Sequence, residues 1–410
     1  MGFFSWVPNH GPVSGKNGKE DMFMKKIGRA LSYVLVGLCA SLLTLFWVNG
    51  GFGSNKTGSK LEELEKRITT CFIEEVDPEE LEDAAADAMV TATGDRWSYY
   101  IPASQYQTYL EQSRNAYVGV GITIQRAQDG SGLEIISVTD GGPAQEAGLQ
   151  PGDVITAIEG TSCRDMETAD ARNLVRGEAG TKVRFTVSRD GREQEYSVER
   201  RSIDTPVATH EKLDSGYGYI RIDNFESKCA KETIAAIDDL VSQGVKGLIF
   251  DVRYNPGGYK DELVKVLDHL LPEGVLFQSV NYKGEESQDT SDAACIKIPM
   301  AVLVNGDSYS AAEFFAAALQ EYDWATVVGQ QTCGKGYFQN TFPLSDGSAV
   351  ALSVGKYFTP QGRSLIGVGV TPDVPVEVTE DQTKEIRAGT LDKNEDSQLQ
   401  AAISALNSAQ

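Results

Sequence analysis

The chain has 410 residues, 41% of them hydrophobic, which is enough material for more than one folded core. It carries 37 basic against 59 acidic side chains, a formal net charge of −22, and this excludes nucleic-acid binding, which needs basic surface to neutralise phosphate. Cys39, Cys71, Cys163, Cys229, Cys295 and Cys333 are scattered without metal-ligand spacing, so no zinc site is expected, and no metal, nucleotide or organic cofactor is called for.

Residues 30–48 form a nineteen-residue apolar stretch without a charge, long enough to span a bilayer. Lys16, Lys19, Lys25, Lys26 and Arg29 precede it, which predicts a cytoplasmic segment over 1–29 and an extracytoplasmic position for everything after the span. The stretch is longer than the apolar part of a cleaved signal peptide, so an uncleaved anchor is expected, placing the protein in the cell membrane as a single-pass protein. Cys39 lies inside the stretch behind Leu38, where a lipid-attachment motif wants a small residue, and reads as an ordinary membrane cysteine. Residues 49–60 are a linker rich in Gly, Ser and Asn, and 61–111 read as helical, with the acidic run from Glu74 to Glu80 taken as a solvated helical face.

From 112 to 201 the pattern changes to short β-branched runs broken by Gly and Pro, which predicts a small β-rich domain with one or two helices. This stretch resembles a PDZ domain, with Gly148-Leu149-Gln150-Pro151-Gly152-Asp153 a specific match. The resemblance implies a site where a peptide C-terminus adds as a strand and backbone N–H groups hold its carboxylate. The loop concerned would be Val118, Gly119, Val120, Gly121 and Ile122, although either glycine alone reads as a hairpin or bulge glycine. Arg176, near the end of the second expected helix, is a candidate for sensing bound peptide, weighed against a plain surface arginine.

Residues 202–378 alternate apolar strands with helical runs, which implies an α/β core. A strand over 245–252 runs into Asn255-Pro256-Gly257-Gly258, a tight turn before a helix. Backbone N–H groups at such a corner can face a developing oxyanion, so those of Gly257 or Gly258 and of Ala311 are candidates, against the plain reading of a strand-to-helix turn. A second strand, 301–304, leads to Ser310, a good helix N-cap before Ala311-Ala312-Glu313. Lys335 follows between Gly334 and Gly336; alone it would read as a solvated loop lysine. As a pair, Ser310 and Lys335 suggest a serine hydrolase whose base is a lysine with a lowered pKa. His10 precedes the expected span, and neither His210 nor His269 sits in a recognisable motif, which leaves a histidine triad open but unsupported. Cys333 lacks a histidine partner in its sequence context and reads as structural. Residues 379–410 form a polar, acidic tail, expected to be helical.

The surroundings of Ser310 and Lys335 resemble the C-terminal processing peptidases, or tail-specific proteases of peptidase family S41, over about 61–378. Ser308-Tyr309-Ser310-Ala311-Ala312-Glu313 is similar to the family pattern Ser-Ala-Ser-Ala-Ser-Glu, and Gly334-Lys335-Gly336 with Gln339 fits its Gly-Lys-Gly-x-x-Gln pattern. Asp251-Val252-Arg253-Tyr254-Asn255-Pro256-Gly257-Gly258 matches the family element beside the oxyanion hole. Gly94-Asp95-Arg96-Trp97-Ser98-Tyr99-Tyr100 resembles its Gly-Asp-Pro-x-Ser-x-Tyr element, with Arg96 in place of proline. The resemblance implies an α/β core of the ClpP/crotonase type with a PDZ insertion, Ser310 as nucleophile, Lys335 as general base and Gln339 as the residue that orients it. It also implies protein or peptide substrates with exposed C-termini, and leaves homo-oligomerisation open. Tyr309 and Ala312 depart from the pattern, so a PDZ-type membrane scaffold that has lost activity stands as the alternative, with an acyl-CoA enzyme a distant third.

Overall fold

Residues 56–408 are described by a computed structural model. The segment 1–29, the anchor expected over 30–48 and the first part of the linker lie outside them; among the described residues no helix is long and apolar enough to cross a membrane. Helix α1 (Lys56–Cys71) already takes in the end of the expected linker. Helix α2 (Pro78–Thr91) starts where Asp77 accepts the Glu79 N–H at 2.9 Å, with Pro78 and two acids in the first turn, all favourable at the positive end of a helix. The acidic run is therefore solvated but is not one helical face: it crosses the break between the two helices, because Asp77-Pro78 is a start signal. The expected helical region also contains a strand, β1 (Tyr99–Ile101), before α3 (Ala103–Ser113).

The β-rich domain runs β2 (Ala116–Gly119), β3 (Ile122–Arg126), β4 (Leu133–Val138), α4 (Pro143–Glu146), β5 (Val154–Ile158), β6 (Thr161–Ser162), α5 (Thr168–Val175), β7 (Lys182–Arg189), β8 (Arg192–Glu199) and β9 (Arg201–Asp204). Its main sheet has the order β3-β4-β5-β7-β8, while β2 and β9 pair with each other where the chain enters and leaves. Alternate residues of these strands, among them Leu133, Ile135, Val183, Phe185 and Val187, meet in one core, as the two-residue period of a strand requires. The buried Asp153 carboxylate takes two hydrogen bonds from Arg189, which also donates to Gly148 O, so both ends of the Gly148 to Asp153 turn are tied down.

The remaining elements are β10 (Ala208–Lys212), β11 (Gly218–Ile222), α6 (Cys229–Ser242), β12 (Leu248–Asp251), α7 (Lys260–Leu270), β13 (Gly274–Asn281), β14 (Glu286–Ser291), β15 (Met300–Val304), α8 (Ala311–Glu321), β16 (Ala325–Gly329), β17 (Tyr337–Pro343), β18 (Ala349–Phe358), β19 (Val374–Pro375), α9 (Glu380–Ala388) and α10 (Ser397–Ser408). The central sheet has the order β10-β11-β12-β15-β16-β19 and is parallel apart from β10. Every residue of β12 and β15 is buried, as expected for strands covered on both faces. Leu248, Phe250, Met300 and Val302 face α6, α7 and α8; Ile249, Ala301 and Leu303 face α10.

Residues 379–410 are thus more than a tail, since Leu399, Ala402 and Leu406 recur at helical spacing and cover the second face of the sheet. Arg253, itself buried, donates to Asp251, Asp396 and Gln398, binding this C-terminal region to the end of β12. A second sheet, β1-β18-β13-β14 with β17 also on β18, stands beside the first. Tyr99 to Ile101 are drawn out of helix by pairing antiparallel with Ala349 to Ala351 of β18, a tertiary contact that local pattern does not reveal.

Candidate active site

Two parallel strands end side by side and each turns sharply. After β12, Tyr254 adopts φ 61° and donates its N–H to the Asn305 side chain; Asn255 donates to Ile222 O and accepts from Gly257 N–H at 2.8 Å. After β15, the Ser308 hydroxyl bonds Val252 O, and Tyr309 N–H reaches Asn255 O. The next residue is Ser310, with φ 59° and ψ −122° at the N-cap of α8. That backbone is strained for a side-chain-bearing residue, costing about 1–3 kcal/mol, and it holds only because the surrounding hydrogen bonds fix both turns. A serine on such a corner is both a helix start and an exposed hydroxyl.

Glu313 joins this corner to Lys335. Its fully buried carboxylate accepts four donors: Thr332 Oγ1 at 2.5 Å and Gly334 N at 2.6 Å on one oxygen, Lys335 N at 2.9 Å and Ser310 N at 3.1 Å on the other. Burial pushes its pKa up, and the four donors pull against that. From the other side, Tyr357 donates to Lys335 O at 2.6 Å. The backbones of Ser310 and Lys335 are therefore held by one shared partner, Glu313.

The Lys335 amine lies 4.8 Å from the centre of the Trp97 ring and 5.8 Å from that of Tyr309, the two rings being 5.9 Å apart. Burial pushes this amine down to about 8, with Asp95, Glu313, Cys333 and Glu226 pulling the other way. A lysine in that range can give up its proton near neutral pH, as a base must. Gln339 donates to Ser353 Oγ at 2.9 Å and to Tyr337 O at 3.2 Å. Ser310, Ala311, Gly257, Gly258, Lys335 and Gln339 all line one cavity of about 880 Å³.

At the expected oxyanion position the two glycines differ. Gly257 N–H is engaged by Asn255, whereas Gly257 O and Tyr259 N–H bond Phe225 and turn the Gly258 amide to the opposite edge. The amide of Ala311 opens α8 and has no partner within the helix. Gly257 has no room for a side chain: a Cβ there would come 2.7 Å from Ser310 Cβ and 2.8 Å from Ala311 N, at φ +91°.

His210 and His269 pair with Asp239 and Asp238 on the surface, at 2.9 Å and 3.0 Å, and neither lines the cavity. The thiol of Cys333 is pushed up by burial, the wrong direction for a nucleophile. Sequence reasoning missed the roles of Glu226, Tyr357, Asp95 and Glu313. Glu313 had a signal, its place three residues after an N-cap serine; Glu226, whose carboxyl burial pushes up to about 7, had none. A second groove, of about 650 Å³, is lined by all five residues from Val118 to Ile122, together with Thr168, Arg172 and Arg176 of the α5 region. Arg176 thus belongs to the groove wall.

Comparison with known proteins gives two family matches: Peptidase family S41 over residues 216–376 and PDZ domain over 134–189. The carboxy-terminal processing protease CtpA of Bacillus subtilis (strain 168) is 33% identical over 84% of this chain and 76% of its own length. The carboxyl-terminal-processing protease of Synechocystis sp. (strain ATCC 27184 / PCC 6803 / Kazusa) is 35% identical over 72% of this chain and 70% of its own. Among solved structures, a photosystem II D1 C-terminal processing protease is 28% identical, with TM-score 0.45, covering 80% of this chain and 91% of that one.

Proposed function

Since the chain belongs to peptidase family S41, among the carboxyl-terminal processing proteases, and is a serine-type endopeptidase with a PDZ domain, we propose that it cleaves protein segments through a Ser310–Lys335 dyad. In this reading neutral Lys335 takes the Ser310 proton as Oγ attacks the scissile carbonyl. The tetrahedral oxyanion is met by the N–H groups of Ala311 and Gly258, and Lys335 returns its proton to the leaving amine. Water then deacylates Ser310 by the same route reversed. Gln339 supports Lys335, and no metal takes part.

The observation that carries this reading is the Lys335 amine, held at about 8 by burial in the cavity that also holds Ser310. Recognition would begin in the Val118 to Ile122 groove, with Arg176 near a peptide carboxylate. A link toward the dyad is available. Asn224 borders that groove and exchanges hydrogen bonds with Asn115, and Glu226, two positions on, lines the catalytic cavity. Anchoring through residues 30–48 would place the site outside the cytoplasm. The test is hydrolysis of an unfolded protein by the full chain: Ser310→Ala and Lys335→Ala should each lower turnover by roughly a thousandfold or more with folding retained. Wild-type rates in either variant would overturn the dyad.

A further inference from the structure

The segment carrying Asp95 and Trp97 lies against the Lys335 side chain, and its hydrogen bonds run in one direction. Asp95 accepts the Trp97 N–H at 3.1 Å and the Ser98 hydroxyl at 2.6 Å. Ser98 Oγ in turn accepts the Ser353 N–H at 3.0 Å. Ser353 Oγ accepts from the Gln339 amide at 2.9 Å. A backbone carbonyl only accepts, so the group that Gln339 turns toward Tyr337 O and Ser353 is its NH₂. The Gln339 NH₂ is therefore spent on Ser353 and Tyr337 O, and the end of the side chain left for Lys335 is its oxygen, an acceptor matched to an ammonium. Asp95 also fixes the backbone of Trp97, whose ring lies 4.8 Å from the Lys335 amine.

We propose that Asp95 is a positioning residue for Lys335, holding in place through Ser98 the Ser353 that Gln339 bonds and, through the Trp97 N–H, the aromatic face beside the amine. The proposal rests on the reading of Ser310 and Lys335 as the dyad. Charge adds to geometry here. Burial works against the Asp95 anion, but bonds from Ser98 and Trp97 hold its carboxyl below the ordinary range, so it is charged whenever the enzyme works. Around Lys335, Glu313 comes from α8, Glu226 from the β11–α6 connection and Cys333 from the same loop. Arg96 lies over the Trp97 ring and reaches the Cys333 sulfur, and the phenols of Tyr309 and Tyr357 complete the surroundings. Asp95 is the acid in this group that joins Lys335's field to Gln339's hydrogen bonds.

The test follows initial rates of casein hydrolysis by the full chain in detergent from about pH 6 to 10, for wild type, Asp95→Asn, Asp95→Glu, Ser353→Ala and Ser310→Ala. Rates are normalised to folded protein by circular dichroism. Loss of the anion removes a favourable neighbour of the ammonium, so Asp95→Asn should move the midpoint of the rising limb down by roughly half a pH unit or more. It should also lower the high-pH plateau about tenfold as Ser98, Ser353 and the Gln339 that bonds it lose their anchor. Ser353→Ala keeps the anion and should lower the plateau without moving the midpoint, and Asp95→Glu should restore the midpoint. An inactive Ser310→Ala beside an Asp95→Asn variant with unchanged midpoint overturns this proposal and leaves the dyad standing. An active Ser310→Ala overturns the dyad, and the proposal with it.

Discussion

Replacing Lys335 by methionine removes the amine while keeping an apolar stem, and it should make the protein inert and more stable at once. In the folded chain burial holds the amine at about 8, against 10.5 for the free side chain. That difference corresponds to about 3 kcal/mol of unfavourable burial of the ammonium. Below pH 8 the amine is protonated in both folded and unfolded chains and the whole cost is present. Between about 8 and 10.5 the folded chain gives up the proton first and the cost declines; above that range both states are neutral and it is gone. Wild type should therefore gain about 3 kcal/mol across this window relative to Lys335→Met, and the variant should be the more stable by about 1–3 kcal/mol at pH near 7. Urea unfolding at about pH 7, 9 and 10.5, followed by circular dichroism, measures both quantities. A Lys335→Met variant that is less stable than wild type at neutral pH, with the same pH dependence, would refute the claim that the amine is held desolvated.

The rest of the site yields three sharper perturbations. Glu313→Gln turns an NH₂ group toward two of the four donors that the carboxylate now receives, so about 2–4 kcal/mol of stability and roughly a hundredfold in kcat/KM should be lost; thermal melting and steady-state kinetics check it, and a variant equal to wild type in both would refute the bridging role. Gly257→Ala, whose Cβ meets Ser310 at 2.7 Å on a positive-φ backbone, should abolish turnover while leaving PDZ-groove binding of a peptide intact, as read by fluorescence anisotropy. Amidating the C-terminus of a good peptide substrate, or changing Arg176→Ala, should raise KM at least several-fold; unaltered cleavage in both would remove the carboxylate from recognition and leave the dyad untouched.

Most of the scaffold was legible because its signals are local. The buried strands at 248–251 and 300–304 announce themselves by the apolar runs Leu248-Ile249-Phe250 and Met300 to Val304, and the turns after them by Asn-Pro-Gly-Gly and by a serine before Ala-Ala-Glu. The misreadings share a cause. Tyr99 to Ile101 become strand by pairing with β18, some 250 positions away in sequence. The C-terminal residues looked like an acidic tail by composition, yet Leu399, Ala402 and Leu406 form a stripe that closes the sheet, and Asp396 is buried in an ion pair with Arg253. Net composition averaged over a segment hides a narrow apolar face, whereas the period of that face reveals it.

The site divides along the same line. Ser310 and Lys335 were found because each sits in a short motif, but what gives the lysine its chemistry comes from elements remote in sequence: Trp97 and Asp95 before β1, Glu226 after β11, Glu313 on α8 and Tyr357 on β18. Burial alone would leave an amine too weak a base to compete for a serine proton, and the three carboxyl neighbours alone would keep it protonated. The working range near 8 is the balance of these opposed effects, so it belongs to the assembled cavity and to no single stretch of chain. Motifs carry the identity of the reacting groups; the fold carries their protonation. It follows that a change at Asp95 or Glu226, both outside the Ser310 and Lys335 motifs, should register in the pH profile, while a change at Glu313, which also holds the Ser310 and Lys335 backbones, should register in the profile and in the geometry together.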